Sequence, residues 1–390
     1  MTTHTNSPAF VRFLLEFAGC GSGAAVELVQ THISWVFLVN DTVYKFKKPV
    51  NFGFLDFSTL EQRRFYCEQE VVLNRRLCPD IYLGMVAVCE QNGGLALLPL
   101  EQAKDVVEYG IKMRRMPEER MMPHLIERGE LGAAHIDQIV DLLVPFYRQA
   151  AQQTASGESL ARFGAAEAVT MNVLENFEQT KGFIGGGALT KEQFDAIFTA
   201  ACAVLAKPER FQKRIQAGAI RECHGDLYSA NICLADKPYI FDCIEFNERF
   251  RYSDVACDVA FLAMDLDYHG LDDLSRHFIE RFVQVSGDRG LLDMLNFYKC
   301  YRAYVRGKIG LFTANDQSVD EQSRRKCLAG AEQYFRPGSL IAKAVRAKIY
   351  ENWTDVSGMK SADLRIVLNP RTIRVISFKE LRAVDRKSVE

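Results

Sequence analysis

A β-rich apolar run, Trp35-Val36-Phe37-Leu38-Val39, meets the turn pair Asn40-Asp41, and a second run, Thr42-Val43-Tyr44-Lys45-Phe46, returns from it. This pattern predicts a hairpin. Alternation along a strand sets Val43 and Lys45 on one face and Tyr44 and Phe46 on the other. The period then changes. Ser58-Thr59-Leu60-Glu61 reads as a capping box, a hydroxyl and a carboxylate three residues apart at a helix start. The helix should run to about Leu77, where Cys78-Pro79-Asp80 breaks it. Tyr66, Glu70, Leu73 and Leu77 fall on one stripe of that helix. Glu70 is thus a carboxylate in an apolar face, where a charge needs a partner. Glu68 lies off the stripe.

Further strands are expected over 81–89 and 95–100, around Gly93-Gly94, and over Val106–Met113. Residues 120–220 are mostly helical in pattern, with Gly185-Gly186-Gly187 as a loop between helices. Residues 221–246 return to short strands and loops, and 254–350 are again helical. Leu364–Leu368 and Ile373–Phe378 around Asn369-Pro370 suggest a terminal hairpin. The expected class is α+β. A small β-rich part spans about 1–110, a larger mostly helical part 111–350, and a tail 351–390.

Composition narrows the function classes. With 48 basic and 50 acidic side chains the formal net charge is -2. That argues against a nucleic-acid partner, which needs a basic excess on one face. The first nine residues lack the charged-then-apolar pattern of a secretory signal, and no apolar run approaches a membrane span. Eleven cysteines occur without a Cys-x-x-Cys pair, several in apolar stretches. Buried free thiols in a reducing compartment are the expectation, and with them a cytoplasmic location without membrane attachment.

The chemistry concentrates in His224-Gly225-Asp226-Leu227-Tyr228-Ser229-Ala230-Asn231. Its spacing is that of the kinase catalytic loop H-R-D-L-x-x-x-N, with Gly225 in place of the arginine. Downstream, the apolar run Tyr239-Ile240-Phe241 ends in Asp242. Phosphoryl transfer needs such a set: one carboxylate to orient the acceptor hydroxyl and take its proton, and oxygen ligands to hold magnesium against the nucleotide phosphates. Asp226 fits the first role and Asn231 with Asp242 the second. Glu245 is the alternative to Asp242. Lys45 is the strand lysine that would hold the α- and β-phosphates, and Glu70 its partner carboxylate; Lys47 and Lys48 compete with Lys45. No Walker-type G-x-x-x-x-G-K-[ST] occurs.

H-G-D-x-x-x-x-N followed by an apolar strand and Asp resembles the signature of the aminoglycoside phosphotransferase and choline kinase superfamily. Asp254-Val-Ala-Cys-Asp258-Val-Ala-Phe-Leu resembles that superfamily's D-x-x-x-D-L-A helix start. The stretches Ser34 to Arg64 and Leu73 to Gly84 resemble a bacterial aminoglycoside phosphotransferase-like branch, in which some longer members carry an added C-terminal P-loop domain. The resemblance covers roughly residues 25–310. It implies a two-lobed protein-kinase-like fold and an ATP- and Mg²⁺-dependent kinase acting on a small-molecule hydroxyl. It also implies that His224 braces the catalytic loop. Two departures stand out. His32-Ile33-Ser34 occupies the turn where a glycine-rich loop is expected, and Tyr228 stands where many relatives have histidine. Asp265, Asp267, Tyr298, Tyr301, Arg302 and Arg306 are candidates for the acceptor wall. The alternatives are a nucleotide-binding regulator without catalysis and a protein-modifying kinase. The acceptor itself is not identified by the sequence.

Overall fold

The computed structural model describes residues 7–17, 26–317, 319–335, 359–360 and 372–373. The chain divides into two compact units, Met1–Gly164 with Arg214–Arg289 and Ala165–Lys213 with Gly290–Glu390.

The first unit opens with helix α1 (Ala9–Phe17) and strands β1 (Glu27–Gln30), β2 (Ser34–Val39) and β3 (Thr42–Lys47). Helix α2 (Leu60–Asn74) and strands β4 (Tyr82–Gln91), β5 (Gly94–Pro99) and β6 (Val106–Arg114) come next. The six strands form one antiparallel sheet in the order β1-β2-β3-β6-β4-β5. The hairpin turns where expected: Asn40 takes φ 49°, a left-handed conformation that asparagine tolerates. Alternation in β3 splits its side chains as predicted. Phe46 and Tyr44 pack with Phe10, Val11 and Leu14 of α1 and with Trp35, Phe37, Val86 and Val88. Lys45 and Lys47 point to the opposite face, where Cys67 and Val71 of α2 pack on Ile111 and Tyr82. Gly110 is needed beside Phe46, since a Cβ there would come within 2.5 Å of the ring.

Helix α2 starts one residue later than the sequence suggested. Thr59 is the N-cap and Gln62 completes the box, through Gln62 N to Thr59 Oγ1 and Thr59 N to Gln62 Oε1. The α1 and β1 elements were not foreseen, although the apolar spacing of Phe10, Val11, Phe13 and Leu14 in α1 is amphipathic.

Helices α3 (Met122–Glu127) and α4 (Ala133–Gln149) complete the first stretch of this unit. The second unit contributes α5 (Ala166–Thr180), α6 (Lys191–Leu205) and most of α7 (Pro208–Gln216). The first unit resumes with β7 (Ile220–Glu222), β8 (Ile232–Leu234), β9 (Pro238–Ile240), α8 (Glu248–Arg251), β10 (Tyr252–Asp254), α9 (Val255–Tyr268) and α10 (Asp272–Ser286). Two small ladders, β7 with β10 and β8 with β9, flank residues 223–231 along the chain. Arg214 grips Asp254 with Nε and Nη2 and Asp288 with Nη1 and Nη2, at 2.6–3.2 Å.

The second unit ends in the long helix α11 (Leu291–Asn315) and α12 (Glu321–Phe335). It packs through aromatic contacts, Phe177 on Tyr304, Phe194 and Phe198, and Tyr304 on Phe335. Gly307 admits the Phe335 ring, which a Cβ would meet at 2.4 Å. Two-residue strands, Met359–Lys360 and Thr372–Ile373, pair antiparallel. The predicted hairpin segments, 364–368 and most of 373–378, lie outside the described residues. The architecture is α+β, a β-sheet N-terminal part and a mostly helical remainder, as the hydrophobic pattern predicts. Among the described residues no helix is long and apolar enough to cross a membrane, and the ten cysteines are free.

Candidate active site

The site lies within the first unit and is built from β3, α2, the loop 224–231 and the segment 242–245 just after β9. Lys45 Nζ lies 2.8 Å from Glu70 Oε1 and 2.7 Å from Asp242 Oδ1. Lys47 Nζ lies 2.7 Å from Glu70 Oε2 and pairs also with Glu245 Oε1. Glu70 therefore serves two lysines, one per oxygen. It is fully buried because α2 turns it onto the sheet; Glu68 is exposed. Burial works against the Lys45 ammonium, but Asp242 and Glu70 hold its pKa well above the ordinary lysine range. Lys47 is raised in the same way by Glu245 and Glu70. Burial also opposes the charged form of Glu70, yet the two lysines outweigh it and hold that carboxyl low. Asp242 is likewise held low by Lys45 against the effect of burial. Glu245 goes the other way: burial raises it, and Lys47 compensates only in part.

Asp242 and Glu245 separate by exposure. The Asp242 side chain is 47% exposed and that of Glu245 6%. Asp242 also has φ 62°, a conformation that Asp and Asn tolerate better than other side-chain-bearing residues. Asn74, one turn along α2 from Glu70, ties that helix to the backbone next to Asp242. Its Nδ2 donates to Glu70 O and its Oδ1 accepts from Cys243 N, at 2.8 and 2.9 Å. Arg76 adds bonds from the end of α2 to Glu222 and to the Cys223 carbonyl. Neither residue was foreseen. Asn74 could have been found by phase, since it stands four residues beyond Glu70.

The loop 224–231 is held by buried acceptors. Asp258 Oδ2 accepts from His224 N at 2.7 Å and from the Tyr147 hydroxyl at 3.1 Å, and its Oδ1 accepts from Gly225 N at 3.0 Å. Asp265 Oδ2 accepts from Ser229 N at 2.9 Å. Tyr228 stacks on Phe261, centroids 5.4 Å apart. Asp258, Phe261 and Asp265 fall three and four apart, so one face of α9 carries the loop. Asp265, expected in an acceptor wall, is instead buried under it. Gly225 has φ 87°, and a Cβ there would lie 2.9 Å from Phe250 O, so this position requires glycine.

His224 is buried and neutral. Its Nδ1 accepts from Asp226 N at 3.3 Å, so Nε2 carries the hydrogen and donates to Phe241 O at 3.0 Å. Burial lowers its pKa to about 4. The histidine thereby links the loop that carries Asp226 to the residue before Asp242. Asn231 Nδ2 donates to both Asp226 O and Asp226 Oδ2 at 2.9 Å. Both amide hydrogens face the loop, which leaves Oδ1 as the atom offered to a cation. Asn231 O accepts from Phe241 N at 3.1 Å, which sets Asn231 beside the approach to Asp242. A carboxylate and an amide oxygen suit magnesium, which keeps waters and phosphate oxygens for its other positions.

The β1–β2 turn differs from a glycine-rich phosphate cradle. Thr31 Oγ1 accepts from Ile33 N and Ser34 N at 3.3 and 2.9 Å. Those amides are engaged within the turn. On α11, Tyr298 and Arg302 are buried, which fits packing rather than a cleft wall.

No protein-family profile matches the chain. Uncharacterized proteins of Mycobacterium tuberculosis and Mycobacterium bovis are 32% identical to it over 287 residues, 73% of this chain and 54% of each relative. The chain thus spans about half the length of the curated relatives it matches. Among solved structures it is similar to a choline/ethanolamine kinase family protein from Mesorhizobium loti, at 12% identity and TM-score 0.46, over 86% of this chain and 98% of that one. It is also similar to a choline kinase from Streptococcus pneumoniae, at 12% identity and TM-score 0.45, over 84% and 99%. An aminoglycoside phosphotransferase from Streptomyces rimosus is similar at 18% identity and TM-score 0.40, over 75% and 97%.

Proposed function

We propose that this chain is a magnesium-dependent phosphotransferase that moves the γ-phosphoryl group of ATP to a hydroxyl of a small-molecule acceptor. The observation that carries the reading is the joined network: Lys45 on β3 paired with both Glu70 of α2 and Asp242, on a unit whose loop bonds Asp226 to Asn231. A lone strand lysine or a lone helix carboxylate is commonplace, but this order of elements and partners is what phosphoryl transfer requires.

In this reading Lys45 exchanges Asp242 for the α- and β-phosphates while Glu70 keeps its ammonium in place. Asp242 and Asn231 Oδ1 would hold the magnesium ion, which when bound neutralises charge on the phosphate oxygens. Asp226 accepts the proton of the acceptor hydroxyl. The acceptor oxygen bonds to the γ-phosphorus as the bond to the bridging oxygen of ADP breaks, and ADP departs with that electron pair.

The test is Asp226→Asn, which keeps side-chain size and removes basicity. Turnover in an acceptor panel with labelled ATP should fall by roughly two to four orders of magnitude, the usual worth of a positioned base. MgATP affinity, read from the rise in melting temperature, should stay near that of wild type. Full activity in the variant would overturn the base assignment. A wild type that binds MgATP and phosphorylates no sugar, amino alcohol, aminoglycoside or lysate protein would point to a nucleotide-binding regulator.

A further inference from the structure

Two rungs join β3 to the segment after β9. The upper is Lys45–Asp242 at 2.7 Å, and the lower is Lys47–Glu245. The lysines stand two apart on one strand face and the carboxylates three apart on one segment, so the rungs run side by side with Glu70 bridging both. Their surroundings differ. The upper rung is open to solvent on its Asp242 side, with Lys45 16% and Asp242 47% exposed. The lower is sealed, at 1% and 6%, and Lys47 Nζ lies 4.8 Å from the centroid of the buried Phe57 ring. A hydrated ion pair exchanges partners at little cost. A desolvated one does not, because either charge would be stranded out of water.

We propose that Lys47 and Glu245 are positioning residues: their ion pair is a standing tether that keeps Asp242 at the metal position while Lys45 and Asp242 release each other. The inference rests on the phosphotransferase reading above. Loading a magnesium nucleotide breaks the upper rung, since Asp242 must turn to the cation and Lys45 to the phosphates. Lys47 lies outside that exchange by its surroundings: it is sealed against Phe57 and paired with Glu70 Oε2 and Glu245. Sequence alone ranked Lys47 and Glu245 as competitors for the roles of Lys45 and Asp242. The geometry gives them a separate role, one layer behind both.

The test compares ADP binding with and without magnesium by calorimetry, so that no turnover is needed. The wild type should bind ADP more tightly with magnesium. In Lys47→Met/Glu245→Met both charges are replaced by apolar groups of similar length, which a buried pair commonly tolerates. This variant should melt cooperatively and bind metal-free ADP as the wild type does, through Lys45 and Glu70. Its magnesium enhancement should shrink by about tenfold or more, the usual effect of removing a group that orients a metal ligand. A purely structural pair would weaken both affinities together or neither. An enhancement equal to wild type in the folded double variant would sink the tether and leave the phosphotransferase reading standing. If the double variant does not fold, Glu245→Gln decides: a smaller loss of enhancement supports the tether, and an unchanged ratio overturns it. A wild type that binds no ADP under either condition would sink both readings at once.

Discussion

The two sides of the candidate site are held in opposite ways. On the loop side, residues 224–231 are fixed by backbone amides donating to the buried carboxylates of α9 and by a neutral histidine. On the sheet side, Lys45, Lys47, Glu70, Asp242 and Glu245 are fixed by charge on charge. Each of these loop amides donates to one buried carboxylate oxygen, which fixes its direction. An ion network with a shared Glu70 and a half-exposed Asp242 can trade partners. The difference teaches that one side of the site is held by directional bonds to buried acceptors and the other by charges that can trade partners.

Breaking the loop side should have the largest effect. Asp258→Ala removes the acceptor for His224 N, Gly225 N and the Tyr147 hydroxyl, all buried. Leaving those donors unmatched should lower unfolding free energy by about 3 kcal/mol or more, read from urea melts, and should abolish the phosphotransfer proposed above. A loss within experimental scatter would show that the loop is not anchored there.

Protonation probes the same side more gently. Burial holds His224 at about 4, below an unfolded value of about 6.5. The unfolded chain therefore takes up a proton that the folded chain refuses. The contribution of His224 is fully present above about pH 6.5 and fades as pH falls toward 4, by on the order of 2–3 kcal/mol. In urea melts at pH 7 and pH 4.5, His224→Gln should lose less stability across that interval than wild type. Equal losses would mean that His224 does not set the acid sensitivity.

The smallest stability effect should fall on the exchangeable rung. Asp242 is half-exposed, so Asp242→Asn should change the melting free energy by no more than about 1 kcal/mol, and Asn suits the left-handed φ. The same variant should lose magnesium-dependent nucleotide affinity. A large drop in stability without ligand would show Asp242 to be structural, and the contrast between the two sides would collapse.

What the chain settled on its own is local. The β2–β3 hairpin, the face alternation of β3, the burial of Glu70 against the exposure of Glu68, and the spacing of His224, Asp226, Asn231 and Asp242 all come from period and turn chemistry, which act over a few residues. The N-cap shifted by one because Ser58, Thr59, Glu61 and Gln62 offer overlapping boxes, and only backbone geometry selects Thr59 with Gln62. What the tertiary structure decided is pairing between segments distant in sequence. Lys45 and Asp242 are 197 residues apart, Lys47 and Glu245 198, and Asn74 and Cys243 169. No local pattern encodes which of two nearby lysines meets which of two nearby carboxylates. That choice depends on the register of β3 against the segment after β9 and on which charges the packing seals from water. The same cause gave Asp258 and Asp265 their place under the loop 224–231, since the face that α9 turns to the loop is fixed only when the helix docks.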